Sequence, residues 1–201
     1  HGVKITSHAS VVAETVQKIL DVTITWKIEA AGKIDADIAV TKDDEFPDLP
    51  RFGVRMFLDK KLSAVRYFGM GPQESYCDKH QAASHGLYQA NVDDLHEDYI
   101  RPQENGSHYD CEYVELNNSR YGIVVSAENA FSFNASYYTQ EELEEKTHNY
   151  ELIESDSVVF CVDYALNGIG SNSCGPVVLE QYRFDDVLFR FQFTLIPYVK
   201  G

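Results

Sequence analysis

The chain has 201 residues, with 32 acidic against 17 basic side chains and a formal net charge of −15. Nucleic-acid affinity depends on clustered Lys and Arg, so this balance excludes a phosphate-binding surface. The apolar runs are shorter than the roughly 18 residues that a membrane span needs, which excludes a membrane partner. Tyr and Phe dominate the aromatic residues, and this composition favours a mainly β protein.

Alternating apolar and polar residues predict the first strands. Residues 11–28 are rich in β-branched residues, and residues 22–28 and 34–40 alternate on both sides of a glycine turn, which predicts a hairpin. Residues 41–50 carry two prolines and several acids without the spacing of a calcium loop, so we expect a surface connection. Residues 52–58 predict another strand, and residues 63–68 are its expected partner.

Regular periodicity stops between residues 69 and 106. This segment is rich in aromatic and apolar residues, so we expect it to be ordered and packed on the sheets. Its similar sequences at 72–75 (PQES) and 102–105 (PQEN) are interpreted as turn chemistry, not as a repeat. Four histidines with acids nearby lie within this segment or just after it, namely His80, His85, His96 and His108. None of them has the H-x-x-x-H spacing of a zinc helix, so we expect no metal site.

The second half of the chain predicts more strands and one helix. Strands are expected at residues 108–116, 121–127, 130–136, 157–163, 177–184 and 187–196, with a tight corner at 128–129. Thr139 and Glu142 form a capping-box pattern, which predicts a helix that ends near Lys146 or His148. About ten strands with one short helix predict an antiparallel β-sandwich that forms a single domain over residues 1–201.

A glycine-rich loop at residues 168–176 (GIGSNSCGP) lies between two of these strands. Turn chemistry alone explains such a loop as a hairpin connection. A loop on a rigid strand framework is also a typical place for binding residues, and this one would offer Asn172, Ser173 and Cys174 to a ligand. Asp163 ends the preceding strand. A structural Asp that accepts hydrogen bonds from the loop backbone is favoured over a catalytic acid.

The cysteines and the first residue bear on the compartment and on the extent of the chain. Cys77, Cys111, Cys161 and Cys174 form no C-x-x-C pair, which excludes a zinc knuckle and a redox dithiol. We interpret them as reduced thiols of a cytoplasmic protein, while two disulfides in a secreted protein remain the alternative. The chain begins at His1 without an initiator Met, so we interpret it as a piece of a longer protein.

Four segments resemble one enzyme family in order and in spacing. They are residues 67–76 (YFGMGPQESY), 99–106 (YIRPQENG), 131–143 (FSFNASYYTQEEL) and 163–170 (DYALNGIG). They resemble the C-terminal domain of large bacterial β-galactosidases of glycoside hydrolase family 2, the lac-operon type. Weaker similarity extends from about Val11 to the last strand.

The resemblance implies the β-supersandwich of the β-galactosidase small chain, a fold similar to galactose mutarotases. It implies retaining hydrolysis of terminal β-D-galactosides by a parent enzyme whose two catalytic glutamates lie on an upstream TIM barrel. It also implies a homo-oligomeric parent with magnesium and sodium ions, and none of these metals in this chain. The chain would then be the C-terminal two-thirds of the small-chain domain, inactive when isolated, and it would serve lactose catabolism.

The resemblance also assigns a role to the glycine-rich loop. In the family this loop borders the leaving-group subsite, where the best-known members carry a Trp on which the sugar stacks. That position is Cys174 here. The residues implied near substrate are Gly170, Asn172, Ser173 and Cys174, together with Asp163, and no catalytic residue is implied within the chain.

Two other functions stay under consideration. The first is a carbohydrate-binding or purely structural sandwich that stabilises the assembly of the parent protein. The second is a mutarotase, which needs a His and a Glu that converge on a sugar-sized pocket. The sequence places no histidine in a matching mutarotase motif.

Overall fold

The computed structural model describes residues 2–13, 17–168 and 177–201. The strands in these residues are β1 (Gly2–Val12), β2 (Lys18–Glu29), β3 (Ile34–Lys42), β4 (Arg51–Asp59), β5 (Ala64–Gly71), β6 (Ser84–Asn91), β7 (Ser107–Asn117), β8 (Tyr121–Ser136), β9 (Ser157–Leu166) and β10 (Leu188–Val199). One helix, α1 (Gln140–Glu145), and three 3₁₀ turns, at Val92–Leu95, Asn149–Glu151 and Glu180–Tyr182, complete the regular structure of this part of the chain. The predicted all-β antiparallel fold with one short helix is confirmed. The helices of the described ranges are too short to cross a membrane.

Strand β8 connects two sheets. The hydrogen-bonded order is β1-β2-β3-β10-β8-β7-β5-β6, and β9 joins β8 to β4. Residues 121–126 of β8 pair with β7 and β10, whereas residues 131–136 pair with the start of β7 and with β9. Between these two halves, residues 127–130 have no ladder partner among the described residues. The strand therefore leaves one sheet and enters the other.

Aromatic side chains fill the space between the two sheets. Phe52 of β4 meets Phe189 of β10 edge to face, with ring centroids 5.0 Å apart, and Tyr164 of β9 stacks on Phe189 at 4.8 Å. Neither β4 nor β9 shares a ladder with β10, so these contacts cross from one layer to the other. The predicted sandwich is confirmed. Burial of such apolar surface is the main favourable contribution to folding.

The predicted helix forms with half of its capping box. The Thr139 hydroxyl accepts a hydrogen bond from the Glu142 amide at 3.1 Å, and the helix ends at Glu145. The Glu142 carboxylate, however, accepts the backbone N–H of Ile153 at 2.8 Å instead of bonding back to Thr139. This hydrogen bond attaches the first turn of α1 to the segment around Ile153 that precedes β9.

The predicted pairing of residues 52–58 with residues 63–68 is wrong. Strand β4 pairs with β9, while β5 lies between β6 and β7. The register of β4 on β9 shifts next to Gly53, where a Cβ atom would collide with the carboxylate of Asp163. A close approach that only glycine permits, and not proximity along the chain, therefore decides the partner of β4.

Two further strand predictions are wrong. The tight corner at 128–129 does not break β8, which runs on as one strand because it changes partners there. Residues 177–184 form no strand, and a 3₁₀ turn at Glu180–Tyr182 lies among them. The amide of Phe184 donates to the side chain of Asn167, and its carbonyl accepts from the Leu49 amide. Hydrogen bonds to other loop residues therefore take the place of the strand pairing that the apolar run Val177–Leu179 suggested.

The long segment without periodicity is ordered, but its description needs correction. It contains strand β6 and the 3₁₀ turn at Val92–Leu95, which the sequence analysis missed. Tyr76 and Leu95 are buried as expected. Leu87 and Ile100 are exposed, contrary to the expectation that the apolar residues of this segment pack on the sheets.

Replacing Phe133 with Ala should lower the free energy of unfolding by about 3–5 kcal/mol, because the fully buried ring would leave a cavity. Phe57→Ala is the matched control, since Phe57 is 56% exposed on β4 and its removal should cost less than about 1 kcal/mol. Chemical denaturation measures both values. Equal losses in the two variants would contradict this description of the core.

His108 on β7 is a buried histidine whose protonation opposes folding. Its ring stacks on Phe133 at 5.1 Å, and its Nδ1–H donates to the carbonyl oxygen of Met70 at 3.3 Å. Its Nε2 atom has no hydrogen-bond partner among the described residues. Burial lowers the pKa of His108 to about 4, so the imidazole is neutral in the folded protein near neutral pH.

His108→Gln should reduce the acid sensitivity of the fold. The unfolded chain binds a proton at this residue near pH 6.5, whereas the folded chain does so only near pH 4. His108 therefore destabilises the fold increasingly as the pH falls through this window. Denaturation of both proteins from pH 7 to pH 4 should shift their free-energy difference by about 3 kcal/mol in favour of the variant, and titrations that both proteins share cancel.

Phe57→Ala provides the control for this pH experiment. Its free-energy difference from the wild-type chain should stay constant between pH 7 and pH 4, because Phe57 carries no titratable group and is 56% exposed. A constant free-energy difference between wild type and His108→Gln over the whole pH range would contradict the assignment of this titration to His108.

Candidate functional site

Four of the five predicted site residues lie outside the described residues. They are Gly170, Asn172, Ser173 and Cys174. Their proposed contact with substrate stays a prediction. The structure describes the fifth residue, Asp163. It also describes the residues on either side of the glycine-rich loop.

Asp163 is held by the guanidinium of Arg51. Its side chain is 1% exposed, and its two carboxylate oxygens accept hydrogen bonds from Nε and Nη2 of Arg51, both at 2.7 Å. This bidentate pair links the first residue of β4 to β9 near its end. A structural role is therefore favoured, with Arg51 as the partner. The expected hydrogen bonds from the loop backbone lie outside the described residues.

A second acid completes this cluster. Nη1 of Arg51 donates to the carboxylate of Glu104, which belongs to the segment 99–106. Burial raises the pKa of Asp163 to about 6, although the hydrogen bonds and the charge of Arg51 act in the opposite direction. Both carboxylate oxygens of Asp163 are occupied by the guanidinium of Arg51, so this acid serves a structural contact.

The base of the glycine-rich loop is fixed on both sides. The Asn167 amide donates to the Pro50 carbonyl at 2.9 Å, and the Gly168 amide donates to the Tyr182 carbonyl at 3.0 Å. A Cβ atom on Gly168 would come within 2.8 Å of an Asp78 carboxylate oxygen and 2.9 Å of the Val178 side chain. A larger residue at this position would force the Asp78 and Val178 side chains to move, so glycine suits this close approach.

A cavity of about 430 Å³ opens beside this base. We call it the Tyr164 cavity. Its wall includes six polar and aromatic side chains, namely Tyr109, Asp110, Tyr164, Tyr182, Arg183 and Asp186. Sequence reasoning missed it because these residues come from three separate segments. The sequence offered one indication of this cavity, namely the aromatic and acidic residues on both sides of the glycine-rich loop.

The histidines considered for a metal site have other partners. His80 Nδ1 bonds the Tyr76 carbonyl at 3.0 Å, and His85 Nε2 bonds the Asp110 carbonyl at 3.1 Å. Across residues 2–13, 17–168 and 177–201, no group of three or more His, Cys, Asp or Glu side chains could hold a metal ion.

The two similar motifs do different structural work. Glu74 of the first motif is buried and accepts hydrogen bonds from Lys79, from the hydroxyls of Tyr76 and Tyr99, and from the Gly106 amide. Its counterpart in the second motif, Glu104, pairs with Arg51. The residues that the two motifs share therefore do not indicate a repeat. Turn chemistry explains them only in part, because Glu74 also connects the two ends of the long segment through the Gly106 amide.

Replacing Arg51 with Met should destabilise the fold by about 3–5 kcal/mol, because it leaves the buried Asp163 carboxylate without its partner. Arg190→Met is the matched control. Arg190 makes the same bidentate contact to Asp37 between β10 and β3, but its side chain is 60% exposed, so its loss should cost far less. Denaturation midpoints that fall equally in both variants would contradict the buried-pair assignment.

Comparisons with known proteins agree with the sequence resemblance. Residues 2–195 match the family model described as Beta galactosidase small chain. Similar relatives are the β-galactosidases of Actinobacillus pleuropneumoniae, 47% identical over 97% of this chain, and Staphylococcus xylosus, 38% identical over 92%. The chain spans 19% of the length of each of these two curated relatives.

More distant proteins complete the comparison. The β-galactosidase of Kluyveromyces lactis is 32% identical over 82% of this chain. Among solved structures, a GalM/aldose epimerase homologue from C. elegans is similar with a TM-score of 0.44 and 9% identity, covering 100% of this chain and 66% of its own. A TM-score this low carries no argument. On the match of its residues 2–195, the chain belongs to the β-galactosidase small-chain family.

Proposed function

We propose that this chain is a C-terminal domain of a β-galactosidase that hydrolyses terminal β-D-galactosides with retention. The observation that carries the proposal is the family match over residues 2–195, together with the 47% identity to a protein named β-galactosidase. We further propose that the chain is one domain over residues 1–201 and forms the C-terminal two-thirds of the small-chain domain. The 19% share of the relatives' length is consistent with such a piece of a larger enzyme.

The catalytic carboxylates would lie elsewhere in the parent enzyme, on a TIM barrel. Retaining hydrolysis needs two carboxyl groups on either side of the glycosidic bond, one as nucleophile and one as acid and base. The buried acids of the described chain are otherwise engaged. Asp163 pairs with Arg51, Glu74 accepts four donors, and Glu115 binds Arg66 and the Tyr198 hydroxyl. These contacts support a domain without catalytic residues.

The contribution of this chain would be the loop that carries Gly170, Asn172, Ser173 and Cys174. In this proposal the loop borders the leaving-group subsite, and the small side chain of Cys174 stands where an aromatic platform stacks on the sugar in the best-known members. The anchoring of Asn167 and Gly168 supports this role, because a binding loop needs a rigid base. Asp163 would hold that base in position through Arg51 and would touch no sugar.

The remaining features of the parent enzyme are also proposals. The described cysteines, Cys77, Cys111 and Cys161, are free, which is consistent with the cytoplasm. The parent would be a homo-oligomer whose partner in this chain's neighbourhood is its own catalytic barrel. Its magnesium and sodium ions would be bound by other parts of the parent enzyme.

A non-catalytic role in carbohydrate binding or in assembly is the alternative. Strand β1 favours the assembly role, because it lies at the edge of its sheet and is exposed on both faces. Val3, Ile5 and Val12 on this strand are each about half exposed or more. Apolar surface of this kind marks a contact with another segment or protein.

The purified chain should hydrolyse no chromogenic β-galactoside, because it lacks the proposed pair of catalytic carboxylates. A full-length β-galactosidase that contains this chain should hydrolyse the same substrate under the same conditions. Release of the chromophore is followed by absorbance. Appreciable turnover by the chain alone would overturn this division of labour.

Cys174→Trp in the full-length enzyme should change the ratio of transglycosylation to hydrolysis, because an indole adds a stacking surface for the acceptor sugar. Leu87→Trp is the control, since it adds the same side chain at an exposed position on β6. Product analysis with lactose measures the ratio. Unchanged ratios in the Cys174 variant would count against a loop beside the leaving-group subsite.

A further inference from the structure

The Tyr164 cavity lies where three strands are irregular at the same level. The register of β7 on β8 shifts on both sides of Cys111, and β9 carries an extra residue at Tyr164 relative to β4. Residues 127–130 of β8 have no ladder partner in the described part of the chain. Such irregularities are common beside functional sites because they redirect side chains.

Asp110 shows this redirection directly. Its backbone is in the left-handed region, with φ of 55°, which L residues other than Asn and Asp rarely adopt. The conformation places Asp110 on the wall of the cavity, while its carbonyl oxygen bonds His85 Nε2 at 3.1 Å. Its carboxylate lies 3.9 Å from His85 Nε2 and is about half exposed, so it is accessible to a ligand at the edge of the cavity.

Tyr109, Tyr164 and Tyr182 belong to the aromatic part of the wall. Tyr164 stacks on Phe189 at 4.8 Å with planes inclined by 16°, and Tyr109 stacks on His80 at 5.7 Å. Both rings are thus held in place before any ligand binds. Tyr182 lies near Tyr109, since burial and then the charges of Asp110, Cys77 and Tyr182 raise the pKa of Tyr109.

Charged groups of both signs complete the wall. Asp186 accepts a hydrogen bond from the Tyr164 hydroxyl at 3.4 Å, and Arg183 Nε donates to the Val178 carbonyl at 3.3 Å. Asp110 and Asp186 on the wall and a net charge of −15 disfavour an anion, and the guanidinium groups of Arg183 and Arg190 disfavour a cation. The preferred ligand is uncharged and rich in both donors and acceptors.

We propose that the Tyr164 cavity is a carbohydrate-binding site that takes a pyranose sugar. Hydroxyl groups of a sugar would donate to Asp110 and Asp186 and accept from Arg183, and its C–H face would lie against tyrosine rings, whose faces carry partial negative charge. A volume of about 430 Å³ falls in the range of small-molecule sites. The site uses none of the residues 170–174 and does not depend on the proposed β-galactosidase activity.

Titration of the ¹⁵N-labelled 201-residue chain with D-galactose, D-glucose and lactose tests this site. At least one sugar should shift the backbone amide signals of Tyr109, Asp110, Tyr164 and Tyr182 with a Kd of about 1 to 10 mM. Asp186→Asn should weaken this binding about tenfold, because a hydrogen bond to a charged acceptor is lost. Asp185→Asn is the matched control, since Asp185 is exposed and is not part of the cavity wall.

The titrations give different results if the cavity binds a sugar and if it does not. Shifts at the cavity that Asp186→Asn weakens and Asp185→Asn preserves would establish the site. No shifts with any of the three sugars, shifts confined to other residues, or equal effects of the two variants would overturn it. Hydrolysis is not measured, so a negative result would leave the β-galactosidase proposal untouched.

Discussion

The buried pair of Arg51 and Asp163 is the interaction on which the arrangement of the second sheet depends. It joins the first residue of β4 to β9 through two hydrogen bonds of 2.7 Å, and Gly53 lets the two strands approach closely enough for it. Through Glu104 the same guanidinium holds the segment that precedes β7. A paired charge in the interior needs this full set of partners, because an unpaired one is costly.

The consequences reach the loop that follows β9. With β4 held against β9, the Pro50 carbonyl is in place to accept the Asn167 amide, and Tyr182 accepts the amide of Gly168. The glycine-rich loop therefore starts from a fixed point. In the proposed enzyme, this fixed base is what would allow a short loop to approach a sugar held by another domain. The domain would contribute position and surface, while the reacting carboxylates would belong to the barrel.

Alternating patterns were reliable where one strand face is buried and the partner is close in sequence. The hairpin of β2 and β3 and the cap at Thr139 are examples. Patterns failed where long-range contacts decide the structure. The partner of β4 depends on Arg51, Gly53 and Asp163, and the continuity of β8 depends on its change from one sheet to the other. No local signal marks such contacts, since each involves residues that are distant along the chain.

The candidate site shows the same limit. Asp163 stood out because it ends the predicted apolar strand, although β9 continues to Leu166. Its partner Arg51 could not be read from spacing, since the two are 112 positions apart. The walls of the Tyr164 cavity likewise come from β7, β9 and the turn at Glu180–Tyr182. Residues in one loop, such as Ser173 and Cys174, are the easiest to recognise by motif. Their contact with substrate is the part that needs an experiment on the whole enzyme.

The most direct test is to identify the catalytic nucleophile of the full-length protein. A 2-deoxy-2-fluoro-galactoside with a good leaving group traps the covalent intermediate of a retaining galactosidase, because the fluorine slows its hydrolysis. Peptide mapping by mass spectrometry then locates the labelled carboxylate. We expect the label on a glutamate outside the 201 residues of this chain. A label on Asp163 or on any other acid of this chain would contradict the account.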